Sequence, residues 1–161
     1  MFDLKNEFCL KIILIISFAA LIFAYFVEHI LGHQPCNLCI IERIPYGISI
    51  ILITMIFIIK KNQKFLTLLL ILTFVFSFII SFYHYGIEQG FFDESTVCNA
   101  RNFTESITKE DLLKELSKKT ISCKDVTFRF FGFSLTSINV VLSLLFIITL
   151  IKIFIKYEKN K

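Results

Sequence analysis

The chain has 161 residues, enough for one domain, and 56% of them are hydrophobic, with twenty phenylalanines. Soluble domains sit nearer about 45–50% apolar, and the apolar residues here come in long runs, the pattern of membrane spans rather than of a soluble domain. The net charge of +4 is gathered in clusters beside those runs, which points to loops at a membrane surface rather than to a nucleic-acid partner.

The first apolar run covers approximately residues 8–27, with Lys11 near its start. A basic start and small residues at Ala19, Ala20 and Ala24 also fit a cleaved signal peptide, but cleavage would spoil the charge pattern of the whole chain, so an uncleaved span is the reading adopted. A short loop at 28–35 follows. The second span covers approximately 35–59. Its charge-free part, from Ile44, is short for a bilayer core of about 30 Å, so the helix should begin before Arg43. Pro45 lacks the N–H that would bond the Ile41 carbonyl, and a kink is expected there. The third span covers approximately 65–87.

A long loop at 88–129 comes next, with charges of both signs that nearly cancel. Within it, "TKEDLLKELSKK" (108–119) reads as a short amphipathic helix. Thr108 can cap it with Asp111 at the third position, Ile107 can staple onto Leu112, and Leu112, Leu113 and Leu116 form one apolar stripe. With little core to receive it, that stripe is expected on the membrane surface. The fourth span covers approximately 130–151. Helices satisfy their backbone hydrogen bonds within lipid, so the fold class is all-α, an integral membrane four-helix bundle of one domain, residues 1–161. Lysines at 5 and 11, at 60, 61 and 64, and at 152, 156, 159 and 161 place both termini and the middle loop in the cytoplasm. The loops at 28–35 and 88–129 then face outside.

This topology sorts the five cysteines. Cys9 falls at the cytoplasmic end of span one and reads as a small apolar residue. Cys36, Cys39, Cys98 and Cys123 fall in or beside the outer loops, and an even number on an oxidising side suggests two disulfides. Cys36–Asn37–Leu38–Cys39 can be read several ways. A c-type haem site needs histidine directly after the second cysteine, where Ile40 stands. A zinc site could use the pair with Cys98 and Cys123, or with His29 and His33. A purely structural bond across two residues would constrain the unfolded chain little. A redox couple fits best. Pro35 suits the first turn of a helix, the cysteines then lie near its positive dipole end, and that setting favours thiolate. Arg43 shares their face at the i, i+3, i+7 spacing, near the headgroup level.

The segments "PCNLCIIER", "YHYGIEQG" and "CKDVTFRFFGFSLTSINV", in that order and with a separated cysteine pair, resemble the DsbB family of disulfide bond formation proteins. The likeness runs from about Gln34 to Asn139. Ile41 departs from it, standing where an aromatic residue is frequent. The resemblance implies a membrane thiol–disulfide oxidoreductase of the bacterial inner membrane, with its active cysteines facing the periplasm. It would reoxidise a soluble DsbA-like thioredoxin-fold oxidase and pass electrons to a quinone, ubiquinone or menaquinone. Cys98 would form the mixed disulfide with that partner, Cys123 would be freed to attack Cys36, and Cys39, released as thiolate and held by Arg43, would pass electrons to the quinone. Arg43, His84 and Glu42 are the residues expected near the quinone, with Glu88 at the start of the loop, and no metal is expected. Two other readings remain beside this one: a vitamin K epoxide reductase-like enzyme, whose CxxC lies toward the end of the bundle, and a non-enzymatic zinc-binding membrane protein.

Overall fold

The computed structural model describes residues 4–59, 62–93, 98, 123–124, 129–130 and 132–159. The elements in chain order are α1 (Leu4–His29), α2 (Asn37–Ile41), α3 (Arg43–Ile58), α4 (Gln63–Glu88), a two-stranded antiparallel hairpin of β1 (Arg129–Phe130) and β2 (Phe133–Ser134), and α5 (Leu135–Lys159). Four stretches are long and apolar enough to cross a membrane: Asn6–His29, Asn37–Ile58, Gln63–Glu88 and Leu135–Tyr157. They form the four-helix bundle. The segment 108–119 lies outside the described residues.

The helix ends follow local chemistry. Beyond α1, Ile30 N–H donates to the Phe26 carbonyl at 2.9 Å, which continues the ladder by one bond before the chain leaves the helix. Beyond α4, Gly90 at φ 77° lets Phe91 N–H reach back to the Gly86 carbonyl at 2.8 Å. The second span is interrupted at Glu42, between α2 and α3. Pro45 stands just beyond that break and has no N–H to offer the Ile41 carbonyl, so the ladder is weakest there. The fourth long helix begins at Leu135 rather than near residue 130. Gly132, at φ 86°, turns the preceding hairpin, and Ser134 then caps α5 by accepting from Ser137 N–H at 3.1 Å.

Packing runs from α1 to α3, from α3 to α4, and most extensively from α4 to α5, whereas α1 and α5 barely touch. The core fills the end of the bundle away from Cys36, Cys39, Cys98 and Cys123. Phe74 is its centre, meeting Phe146 edge-on at 4.9 Å and Tyr46 at 6.2 Å, with Leu10, Ile53, Leu70 and Leu150 fully buried around them. Many large apolar side chains point outward, among them Phe8, Ile15, Ile51, Phe76 and Ile79, as lipid-facing positions should. The open side between α1 and α5 leaves a cavity of about 600 Å³ that reaches the cysteines.

One contact at this end is testable. Phe92 folds back so that its ring stacks on Tyr83 at 5.6 Å and covers Gly86. A Cβ on Gly86 would collide with that ring. Gly86→Ala is expected to lower stability by about 1–3 kcal/mol, read as a lower melting temperature in detergent. An unchanged melting temperature would show that Phe92 swings aside freely.

Candidate redox site

The CxxC spacing has a local structural reason. Cys36 is the N-cap of α2, with extended backbone, and its sulfur accepts from Cys39 N–H at 3.3 Å. That is the bond an N-cap side chain makes to the third helical residue. Pro35 therefore stands one residue outside the cap rather than in the first turn, and leaves the cap free to form. The two sulfurs lie 3.0 Å apart in a thiol–thiol hydrogen bond. Cys36 precedes the second span, and its thiol is pulled down to about 4, first by its hydrogen bond with the Cys39 side chain and then, against its own burial, by His84. An ordinary thiol loses about a hundredfold in alkylation rate between pH 8 and pH 6. Cys36 in the reduced protein is expected to lose less than about threefold over that range, read by mass spectrometry of the alkylated peptide. A hundredfold fall would show that the thiolate is not held.

Behind Cys36 lies a buried polar chain. His84 Nε2 is 3.5 Å from the Cys36 sulfur, and His84 Nδ1 donates to Glu42 Oε1 at 2.8 Å. Asn139 Nδ2 donates to Glu42 Oε2 at 2.9 Å and to Ser81 Oγ at 2.7 Å, and its side-chain carbonyl accepts from the Tyr46 hydroxyl. Thr136 donates to Glu88 Oε1 at 2.7 Å and stands 3.3 Å from His84 Nδ1. Charged and polar groups inside a bundle are costly to bury alone, so a chain in which each supports the next is the form they take. Residues from α3, α4 and α5, with Glu42 at the break, thus hold one imidazole against one sulfur.

Cys98 and Cys123 are joined, with Cα atoms 5.8 Å apart. Both are buried, and they pack in one cluster with Cys36, Leu38 and Ile87. Cys123 lines the same cavity as Cys36, Cys39, Glu42, Arg43 and His84. Cys36, Cys39, Cys98 and Cys123 therefore gather with Arg43, His84 and Glu42 at one end of the bundle.

Arg43 takes a place that its spacing does not indicate. The guanidinium pairs with Glu28 at the end of α1 and lies over the Tyr25 ring, 5.0 Å from its centre. Arg43 lines the cavity while reaching the end of α1, rather than pairing with Cys39. Glu28, Thr136 and Asn139 join the site without having been indicated by sequence reasoning. For Thr136 and Asn139 the available signal is a polar side chain inside an apolar span. The histidines named for a zinc site are replaced as well. Among the described residues, the group whose donor atoms converge is Cys36, Cys39 and His84, without His29 or His33.

The cavity is walled by apolar residues of α1 and α5, including Ile15, Ala19, Phe23 and Leu142, with its polar groups at the cysteine end. Its volume is in the ordinary range for a small-molecule site, about 300–1,000 Å³. Its mostly apolar lining with polar groups at one end suits a lipid-soluble molecule with a polar edge.

Comparison with known proteins agrees with the geometry. Residues 6–153 match the family described as disulfide bond formation protein DsbB. The chain is also 30% identical over 152 residues to the uncharacterized protein RP370 of Rickettsia prowazekii (strain Madrid E), covering 93% of this chain and 88% of that protein. A capped CxxC turn, a second cysteine pair packed on it and a family match over nearly the whole length lead to one conclusion: the chain belongs to the DsbB family of membrane disulfide oxidoreductases.

Proposed function

We propose that the protein reoxidises a reduced thioredoxin-fold oxidase of the DsbA type and passes the electron pair to a membrane quinone, with its cysteine end facing the periplasm. The observation that carries this reading is the position of Cys123, bonded to Cys98 yet packed with Cys36 and lining the cavity of Cys36 and Cys39. The basic residues Lys64, Lys152 and Lys156 lie at the other end of the spans, which supports the orientation.

The exchange is a chain of thiolate displacements. The partner's thiolate attacks Cys98, the Cys98–Cys123 bond breaks, and Cys123 leaves as thiolate. Cys123 then attacks the sulfur of Cys36 in an oxidised Cys36–Cys39 pair and releases Cys39. The partner's second thiol attacks its own mixed disulfide and frees Cys98, which in turn attacks Cys123 and displaces Cys36. One dithiol has become a disulfide in the partner, and the two electrons rest on Cys36 and Cys39. His84, held by Glu42, faces Cys36 as the group that stabilises it when it is displaced. Cys39, Arg43 and His84 would hold a quinone at the polar end of the cavity, and Glu42 supports it through His84. A quinone bound there supplies the two-electron acceptor.

Purified protein in detergent is expected to oxidise a reduced thioredoxin-fold dithiol only when quinone is added. No turnover with either ubiquinone or menaquinone would sink the reading. Arg43→Ala should slow quinone reduction at least about tenfold, the scale of one lost charged contact, while thiol exchange with the partner stays nearly intact. Equal loss of both steps would count against a role for Arg43 at the acceptor.

A further inference from the structure

Once the Cys36–Cys39 bond is open, its two sulfurs and His84 surround one small space, with Glu88 beside the histidine. We propose that the reduced pair, together with His84 and Glu88, forms a site for a thiophilic divalent cation of the Zn²⁺ class, and that this site exists only while the pair is reduced.

The donor atoms are already gathered. Both sulfurs and one ring nitrogen of His84 lie within 4.8 Å of one another, with 3.0 Å between the sulfurs and 3.5 Å from Cys36 to His84 Nε2. In a tetrahedral zinc site the ligand bond lengths imply about 3.7 Å between sulfurs and about 3.5 Å from sulfur to nitrogen. The histidine is therefore in place, and the sulfurs need only move apart slightly. The other face of the ring is equally suited. His84 Nδ1 donates to Glu42, itself held by Asn139, and a carboxylate on the far nitrogen is what orients metal-bound imidazoles.

Glu88, next to His84, is the candidate fourth donor and brings an independent observation. Its Oε1 is 3.9 Å from His84 Nε2, and its side chain is 6% exposed. Its buried Oε2 has no hydrogen-bond partner among the described residues. A buried carboxylate oxygen without a partner calls for a cation or a proton. Arg43 does not fill that need, because its guanidinium is paired with Glu28. Two thiolates, one imidazole and one carboxylate are the donor types that zinc takes.

Binding moves no electrons. The cation takes the two sulfurs as thiolates, their protons pass to solvent, and no bond between sulfurs forms or breaks. While it stays bound, the sulfurs cannot close into a disulfide, so the pair is held reduced. That inhibition rests on the relay proposed above; the binding itself does not.

The test uses full-length protein in detergent with Cys98→Ser and Cys123→Ser, so that the second pair offers no thiols. Reduced and oxidised forms are titrated with Cd²⁺, read by thiolate-to-metal charge-transfer absorption, and with Zn²⁺ against a chromophoric chelator. The reduced form is expected to bind one equivalent at least about a hundredfold more tightly than the oxidised form, because oxidation removes two ligands. Glu42→Gln should weaken binding about ten- to a hundredfold, and His84→Gln and Glu88→Gln should weaken it at least as much. Equal binding by the two redox forms would overturn the proposal, as would undiminished binding by both the His84 and Glu88 variants, which would reveal a bare dithiol. Should those variants not fold, the comparison of redox forms still decides. Neither titration contains quinone or partner, so a protein that binds one Zn²⁺ but shows no quinone turnover would refute the relay and leave the site standing. In the wild-type protein, Zn²⁺ binding without loss of turnover would refute the inhibition.

Discussion

Cys39→Ser protein is expected to show no quinone-dependent oxidation of a reduced thioredoxin-fold dithiol. The reason lies in the arrangement of sulfurs. Cys98 and Cys123 pack on Cys36, so the variant can still exchange disulfides among those three. What it lacks is the second sulfur of the inner pair, 3.0 Å from Cys36, without which two electrons cannot be released by closing a disulfide. The loss should be complete in turnover yet absent in a single exchange, so one equivalent of partner should be oxidised at the expense of the Cys98–Cys123 bond and no more. That split is the informative result, measured by non-reducing gel beside the turnover assay. Turnover within about tenfold of wild type, roughly 1.4 kcal/mol in barrier, would mean that the electrons leave by another route.

The second large effect is expected away from the sulfurs, at Asn139. Its amide donates to Glu42 and Ser81 and accepts from Tyr46, tying α5 to both α3 and α4. A single hydrogen bond between membrane helices averages only about 0.6 kcal/mol, so these bonds would be modest by themselves. Asn139→Leu, however, fills the space with an apolar side chain and leaves a buried carboxylate oxygen short of its donor, which adds about 1–3 kcal/mol. A total near about 2–4 kcal/mol is expected, seen as a lower melting temperature in detergent. Tyr46→Phe should then lower stability less in the Asn139→Leu protein than in wild type, since the two share a bond. Additive effects, or a variant as stable as wild type, would show that the chain of bonds is not what holds these helices.

Much of the architecture is legible in the sequence because a bilayer leaves few choices. Long apolar runs have to be helices, and four of them form a bundle. The CxxC pair is legible because its spacing equals that from an N-cap to the third helical residue. Other features depend on contacts that no local pattern encodes. Asn139 meets Glu42 across 97 positions of sequence. Helical spacing alone makes Arg43 a partner of Cys39, whereas the packing of α1 beside it gives it Glu28 instead. Glu28, at the edge of a span, has the look of an ordinary solvated acid. The start of the fourth long helix is misplaced by the sequence because Phe130 and Phe133 extend the apolar run through a hairpin, which only the reversal at Gly132 betrays.

The interruption at Glu42 also bears on how the reactive turn can work repeatedly without disturbing the bundle. Closing the inner pair must shorten the distance between its sulfurs from 3.0 Å to about 2.05 Å. That contraction acts on a helix whose far half is locked into the core by Ile53 and Ile56. Pro45 cannot donate to the Ile41 carbonyl, so the ladder carries one bond fewer where α2 meets α3. The cysteine turn therefore meets the packed part of the helix at its least bonded point, where bending costs least.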